Sequence, residues 1–116
     1  MAMIPMEQAE TVEKLSTLSD FLSSYTYIGT NSRLNRYGNT VTLGLVTTNQ
    51  NFTSAGLKVG TLKAEYCPES SLSIPVINSN TDKIALCAIS STGDVTIYPM
   101  TAGSAIYIIS ATYVVK

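Results

Sequence analysis

Side chains that commonly carry out chemistry are sparse in this chain of 116 residues. It contains no histidine, which excludes histidine-based general acid–base catalysis and histidine-assisted triads. Its two cysteines, Cys67 and Cys87, are too few for a four-cysteine zinc site. No Asp-rich calcium loop and no glycine-rich phosphate loop occurs. We therefore predict that the protein is not an enzyme and has no catalytic residue, metal site or cofactor.

Carboxylates are the remaining candidates for catalysis, because a glycosidase needs two that face each other. The C-terminal part of the chain offers Glu65, Glu69, Asp82 and Asp94. Glu65 and Glu69 flank a turn and are expected to be solvated surface charges. Asp94 follows a glycine and is expected to form a turn. These positions favour structural roles over glycoside hydrolysis.

Binding chemistry is better represented than catalysis, because tyrosine, asparagine, serine and threonine are abundant. A tyrosine ring can stack on a sugar, and amide or carboxylate groups can bond to its hydroxyls. Two polar loops, at 49–51 and 78–82, carry such groups. The candidate ligand-binding residues are Asn49, Asn51, Asn78, Asn80, Asp82 and Tyr98. The alternative for each tyrosine is packing across the strands of a sheet.

Composition limits the classes of partner. Hydrophobic residues make up 45% and charged residues 13% of the chain, and about 25% charged residues is usual. The formal net charge is −1, and no clustered basic stripe suggests nucleic-acid binding. No signal peptide is visible at the N-terminus, and no apolar run reaches the length of a membrane span. We expect one soluble domain that is synthesised in the cytoplasm and does not insert into a membrane.

The two cysteines allow two interpretations. Cys87 lies within an apolar run, so two buried free thiols are expected. A disulfide between Cys67 and Cys87 is the alternative, which depends on how close their Cα atoms lie.

One helix is predicted near the N-terminus, over residues 5–24. Pro5 suits the first helical position, and Leu15, Leu18 and Leu22 have the spacing of a helical seam. Such a short helix must pack on something. It could lie on its own domain, or it could bundle with copies of itself. Residues 1–30 are therefore predicted to form a helical segment with a linker, and residues 31–116 a β domain.

From Tyr25 onward the pattern is that of strands. Residues 33–37 and 40–47 flank Gly38-Asn39, which predicts a hairpin with a two-residue turn. A second hairpin is predicted around Ser91-Thr92-Gly93-Asp94. Pro75 interrupts the run 72–77 and predicts a bulge or an edge there. Seven or eight strands with frequent turns are typical of an antiparallel β-sandwich or jelly roll.

Two predicted strands, 84–89 and 106–109, are apolar on both faces and need cover on both. We expect one face of each of these two strands to lie in the core, together with the apolar residues of strand 95–98, which forms the second hairpin with strand 84–89. The predicted core residues are Ile84, Leu86, Val95, Ile97 and Ile108. The opposite face would need the helix or another copy as its cover. The candidate contacts between copies are Leu15, Leu18, Leu22, Cys87, Ile89, Tyr107 and Ile109, or the alternates of the last four.

The order of these pieces resembles a known family. The segments that carry the resemblance are 36–43 (RYGNTVTL), 60–68 (GTLKAEYCP), 89–98 (ISSTGDVTIY) and 110–113 (SATY). They are similar to the C-terminal β-sandwich domains of tail-fibre and baseplate proteins from phages and prophages of Gram-positive bacteria. The resemblance covers residues 33–116.

That resemblance implies a function and a location. The implied function is a trimeric, non-catalytic host-adhesion module at the tail tip of a virion, in contact with other tail or baseplate proteins and binding a host cell-surface saccharide. A purely structural baseplate or fibre subunit without a ligand is the first alternative. A carbohydrate-binding module of a bacterial extracellular enzyme is the second.

Overall fold

The computed structural model describes residues 18–78 and 84–115, which form ten strands and no α-helix. None of the helical turns in these ranges is long and apolar enough to cross a membrane. Short 3-10 turns at Leu18–Asp20 and Ala64–Tyr66 precede the first strand and follow the fifth. The strands are β1 (Leu22–Ser24), β2 (Arg33–Tyr37), β3 (Thr40–Val46), β4 (Gln50–Phe52), β5 (Leu57–Leu62), β6 (Leu72–Asn78), β7 (Ile84–Ile89), β8 (Asp94–Pro99), β9 (Gly103–Ala105) and β10 (Tyr107–Val114).

Eight of the strands form one antiparallel sheet, in the order β1-β5-β8-β7-β6-β10-β3-β2. This sheet curls into a half-barrel, and β4 and β9 form a separate two-stranded sheet. The predicted all-β, antiparallel class is confirmed. The expected pairing of two comparable sheets is not what the described residues form, because the large sheet wraps around its own core.

Both predicted hairpins are present. Gly38 has φ of +59° in the β2–β3 turn, and Gly93 has φ of +98° in the β7–β8 loop. Positive φ is the conformation for which glycine is favoured in such turns. In the second loop the Ser90 amide donates to the Asp94 carbonyl at 3.0 Å, and the Asp94 amide donates to Ser90 Oγ at 3.0 Å.

The core fills the concave face of the half-barrel. Val95 and Ile97 are fully buried there, as predicted. The two-stranded sheet covers part of this face, because the Phe52 ring meets the Tyr107 ring edge-on at 5.1 Å. Other fully buried side chains are Val41, Leu43, Leu45, Val59, Ala85, Cys87, Ile89 and Ile109.

For β7 and β10 the predicted choice of faces was wrong. Ile84, Leu86 and Ile108 are 46%, 49% and 44% exposed. The four residues expected at a contact between copies are fully buried within one chain instead: Cys87, Ile89, Tyr107 and Ile109.

Strand pairing explains this reversal. Directly paired residues of adjacent strands lie on the same face of the sheet. Ile89 pairs with Val95, and Cys87 pairs with Ile97, so the buried face of β8 determines the buried face of β7. In the same way Ile109 pairs with the buried Leu45 of β3.

The N-terminal helix expected to reach Ser24 does not extend that far. Leu18 lies in a 3-10 turn and Leu22 begins β1, which pairs with β5. Both leucines join the core at 8% and 1% exposure instead of forming a helical seam. Leu15 and the rest of the predicted helix, through residue 17, lie outside the described residues. Phe21 and Ile28, which precede the boundary expected at residue 30, are buried in the same hydrophobic core as the strands.

Pro75 lies in the part of β6 that pairs with β7 but not with β10. β6 pairs with β7 along its length, but its ladder with β10 consists of Ile77 opposite Ile108 and Asn78 opposite Tyr107. Proline has no amide proton to extend that ladder. The prediction of an edge strand or a bulge is wrong, because β6 lies between β7 and β10 and its register with β7 is continuous; Pro75 instead lies beyond the two residue pairs that β6 forms with β10.

Both cysteines are free and buried. Burial raises the pKa of the Cys87 thiol to about 12. A thiol that stays protonated is a poor nucleophile and a poor metal ligand, so Cys87 acts as a packing residue.

Candidate functional site

The predicted ligand-binding residues do not share one environment. Asn49 and Asn51 are exposed, in the bend before β4 and within it. Asn78 is 5% exposed at the end of β6, which removes it as a surface contact. Asn80 and Asp82 lie outside the described residues. Tyr98 is 43% exposed on β8, and it is the one candidate that lines a described depression.

That depression, here called the convex groove, lies on the outer face of the sheet across β6, β7 and β8. Its volume is about 360 Å³. The polar or aromatic residues that line it are Ser71, Ser73, Ser90, Asp94, Thr96 and Tyr98. Hydroxyls, a carboxylate and an aromatic ring are the groups that saccharide recognition uses.

The register of three strands builds the floor of the groove. Ser73 of β6 pairs with Ala88 of β7, which pairs with Thr96 of β8. These three side chains therefore form a cross-strand row on one face. Because Ala88 ends at its Cβ methyl, the row is lowest between the two hydroxyls.

Tyr98 forms the end of the groove beside the next row, which contains Pro75 and Leu86. A Cβ at Gly56 would lie 2.5 Å from Cε1 and 2.7 Å from Cδ1 of Tyr98. The ring therefore lies directly over Gly56, which has φ of +94°. Only a residue without a side chain lets the ring lie this close, so Gly56 fixes the position of Tyr98.

The opposite end of the groove is held by hydrogen bonds in the β7–β8 loop. Ser90 Oγ lies 2.9 Å from Thr92 Oγ1. The Ser91 amide donates to Ser71 Oγ at 3.1 Å. These bonds tie the loop to the chain before β6, so this wall has a defined shape before any ligand binds.

The charge of the groove is balanced. Asp94 Oδ1 accepts from Thr61 Oγ1 at 3.3 Å and forms an ion pair with Lys58 Nζ at 3.1 Å. An exposed pair of this kind adds little to stability. It does neutralise the one carboxylate among the described residues that line the groove, and this arrangement favours a ligand without net charge.

Two hydroxyls on the floor are available to a ligand. Ser73 and Thr96 make no side-chain hydrogen bond with any residue within 18–78 or 84–115. Both project from strands, so their positions are set by the sheet. The convex groove therefore combines fixed, unoccupied hydrogen-bonding groups with an aromatic ring.

A larger depression of about 520 Å³ lies between β1, β5 and the β7–β8 loop. Lys63, Ala64 and Cys67 are among the residues that line it, and its described lining has no aromatic ring. Within the described ranges no three histidine, cysteine or acidic residues cluster in a way that could hold a metal ion. The convex groove is therefore the better candidate for a binding site.

Sequence reasoning identified part of this site. Val95 and Ile97 were predicted in the core, which places the alternate residues Thr96 and Tyr98 together on the opposite face, and the structure agrees. Ser71, Ser73 and Ala88 were missed, because only the pairing of β6 with β7 brings them beside β8. No protein-family model matches the sequence, and no curated protein matches it at a significant level.

Proposed function

We propose that this protein is a non-catalytic adhesion module that binds an uncharged saccharide in the convex groove. In line with the resemblance to phage tail-fibre and baseplate domains, the saccharide belongs to a host cell surface and the module works as a homotrimer within a virion tail. The observation that carries the proposal is that one groove contains two hydroxyls, of Ser73 and Thr96, and the half-exposed Tyr98 ring. Neither hydroxyl has a hydrogen-bond partner among the described residues.

The groove suits such a ligand in shape as well as chemistry. It is an open depression on a sheet, which can hold part of a long or branched polymer. A sugar face laid on Tyr98 would place its hydroxyls over the row from Ser73 to Thr96. Within the described lining of the groove, the Lys58–Asp94 pair leaves no unbalanced charge to attract a phosphorylated or acidic polymer.

A glycan array with the purified chain tests the proposal. We expect the array to retain the protein at uncharged glycans, with a weak affinity for each single groove. Ala88→Leu fills the floor without removing a hydroxyl, and Thr96→Val removes one hydroxyl at nearly constant volume. Each should weaken binding at least about tenfold, the effect of losing roughly 1.4 kcal/mol. Thr42→Val, at an exposed position on β3, is the matched control and should bind like the wild type.

Two results would overturn the proposal. One is a wild-type chain that retains no glycan. The other is an Ala88→Leu variant that binds as well as the control, because binding would then occur elsewhere. Melting temperatures of all variants should be compared, so that loss of binding is not confused with loss of folding.

A further inference from the structure

The other half of the convex face is apolar. Ile108, Ile77 and Ile84 form a cross-strand row over β10, β6 and β7. Pro75 and Leu86 belong to the adjacent row, next to Tyr98. The apolar patch, as defined here, consists of Pro75, Ile77, Ile84, Leu86, Met100 and Ile108.

These side chains are unusually exposed for their type. Ile77 is 59% and Met100 75% exposed, and the other three large ones are between 44% and 49% exposed. Because these large side chains lie side by side, the patch amounts to roughly a few hundred Å² without counting the Tyr98 ring. That is near the upper end of what a monomer leaves open. None of its residues carries a charge.

We propose that the apolar patch is the surface through which copies of this chain contact one another. The area is the first argument. A standard interface buries about 800 Å² on each partner and has an apolar centre within a polar rim, and the apolar patch supplies a centre of this kind.

Sheet geometry is the second argument. Two sheets pack face to face through interdigitating branched side chains, and a row of three isoleucines offers such a surface to the corresponding rows of other copies, which meet around the axis of a closed trimer. Within the described chain, the two-stranded sheet covers the concave side instead, through Phe52 and Tyr107. The second layer expected from the sequence is therefore supplied by another copy.

This inference rests on the homo-oligomer proposed above, but not on saccharide binding. The convex groove occupies the rows around Ala88 and Thr96, and the central contact at Ile77 lies two rows away. Assembly and binding can therefore be tested independently.

Sedimentation velocity and light scattering of the full chain, from about 1 to 100 μM, test the contact. We expect a mass that rises with concentration to a multiple of the 12.4 kDa chain. Ile77→Lys places a charge in the contact, once per copy. It should raise the dissociation constant by at least about tenfold, because central contact residues dominate interface energies. Thr112→Lys adds the same charge at an exposed position of β10 outside the patch and should assemble like the wild type.

The outcomes separate the claims. A chain that stays at 12.4 kDa throughout overturns both the oligomer and the contact. An oligomer that both lysine variants preserve overturns the contact alone. Because Ile77 is exposed in the single chain, Ile77→Lys should keep the wild-type circular dichroism spectrum. Ile84→Lys, at the position opposite Ile77, repeats the test on a second strand. The glycan array independently reports whether saccharide binding fails.

Discussion

At the scale of single residues, two buried tyrosines of β10 differ in one hydrogen bond. The Tyr113 hydroxyl donates to the Tyr66 carbonyl at 2.7 Å. The Tyr107 hydroxyl is buried and has no hydrogen-bond partner among the described residues. A buried polar group without a partner costs about 1–3 kcal/mol, so the two hydroxyls should affect stability in opposite directions.

Replacing each tyrosine by phenylalanine tests this difference. We expect Tyr107→Phe to raise the free energy of unfolding by about 1 kcal/mol, because it removes the unsatisfied group. We expect Tyr113→Phe to lower it by a similar amount, because the Tyr66 carbonyl loses its donor. Urea unfolding curves measure both changes. Equal destabilisation by the two variants would mean that Tyr107 has a partner after all.

Cys87 predicts how stability depends on pH. Burial raises the pKa of its thiol to about 12, whereas an unfolded cysteine has a pKa near 8.5. Above that lower value the unfolded chain releases a proton that the folded chain keeps, so stability falls as pH rises from about 8.5 to 12. The loss should approach 1.4 kcal/mol per pH unit.

Cys87→Ala provides the comparison, because it lacks this thiol. Its free energy of unfolding should decline less steeply between pH 8.5 and 10.5 than that of the wild type. Denaturant titrations at several pH values measure both slopes. Parallel slopes would show that the thiol is not shielded.

At the scale of elements, glycines in the two hairpin loops have different surroundings. Both Gly38 and Gly93 have positive φ. A Cβ at Gly38 would meet nothing within 4 Å, whereas one at Gly93 would lie 2.7 Å from the Leu62 carbonyl oxygen and 2.9 Å from Cys67 Sγ. Gly93 therefore serves the turn and also lets the loop pack against β5.

Alanine at each glycine separates these two roles. Gly38→Ala should cost about 1 kcal/mol, the penalty for a left-handed conformation. Gly93→Ala should cost at least about 3 kcal/mol, because the loop must also move away from the backbone of β5. Thermal and chemical denaturation measure both values. Similar costs would mean that the loop shifts without penalty.

Local signals explain which elements were predictable. Both hairpins have a glycine-containing loop between runs of strand-forming residues, and both were predicted. The end of the helix was not, because Leu18 and Leu22 fit a helical spacing and also fit a 3-10 turn followed by β1. Only the long-range pairing of Leu22 with Leu62 decides between these alternatives.

The face of β7 was predictable in principle from its hairpin. The short Ser90–Gly93 connection aligns Ile89 with Val95, and Val95 and Ile97 were already expected inside. Side-chain size is no guide here, because the larger Ile84 and Leu86 lie outside while Ala85 and Cys87 lie inside. For the binding site, Tyr98 was among the candidates. The contribution of Ser73 depends on strand pairing that no local motif reveals.

At the scale of the whole molecule, β10 joins two groups of strands. It pairs with β3 on one side and with β6 on the other. Its adjacent residues Ile108 and Ile109 point to opposite faces, at 44% and 0% exposure. The same chemical change at these two positions therefore compares the convex face with the core.

We expect Ile109→Ala to lower the free energy of unfolding by about 2–5 kcal/mol, because it leaves a cavity in the core. Ile108→Ala should change it by no more than about 0.5 kcal/mol, when measured below the concentration at which copies associate. Equilibrium urea unfolding at sub-micromolar protein measures both. A large loss from Ile108→Ala under those conditions would show that the convex face is covered within a single chain.

The short ladder between β6 and β10 also has a mechanical meaning. Among the described strands it joins two panels, one of β2, β3 and β10 and one of the remaining five strands, through two residue pairs. The other end of β10 is held to the chain before β6 by the Pro68–Val115 bridge and by the Glu69 amide, which donates to the Val114 carbonyl at 2.8 Å. This junction, the crease, is therefore joined at the two ends of β10 and unpaired between them, and we expect the half-barrel to bend more easily here than along its longer ladders. The Ile77–Ile108 pair lies on the crease and in the middle of the apolar patch. A second copy bound there would hold the two panels at one angle to each other. The sheet should therefore have one fixed curvature when copies are assembled and a range of curvatures in a single chain.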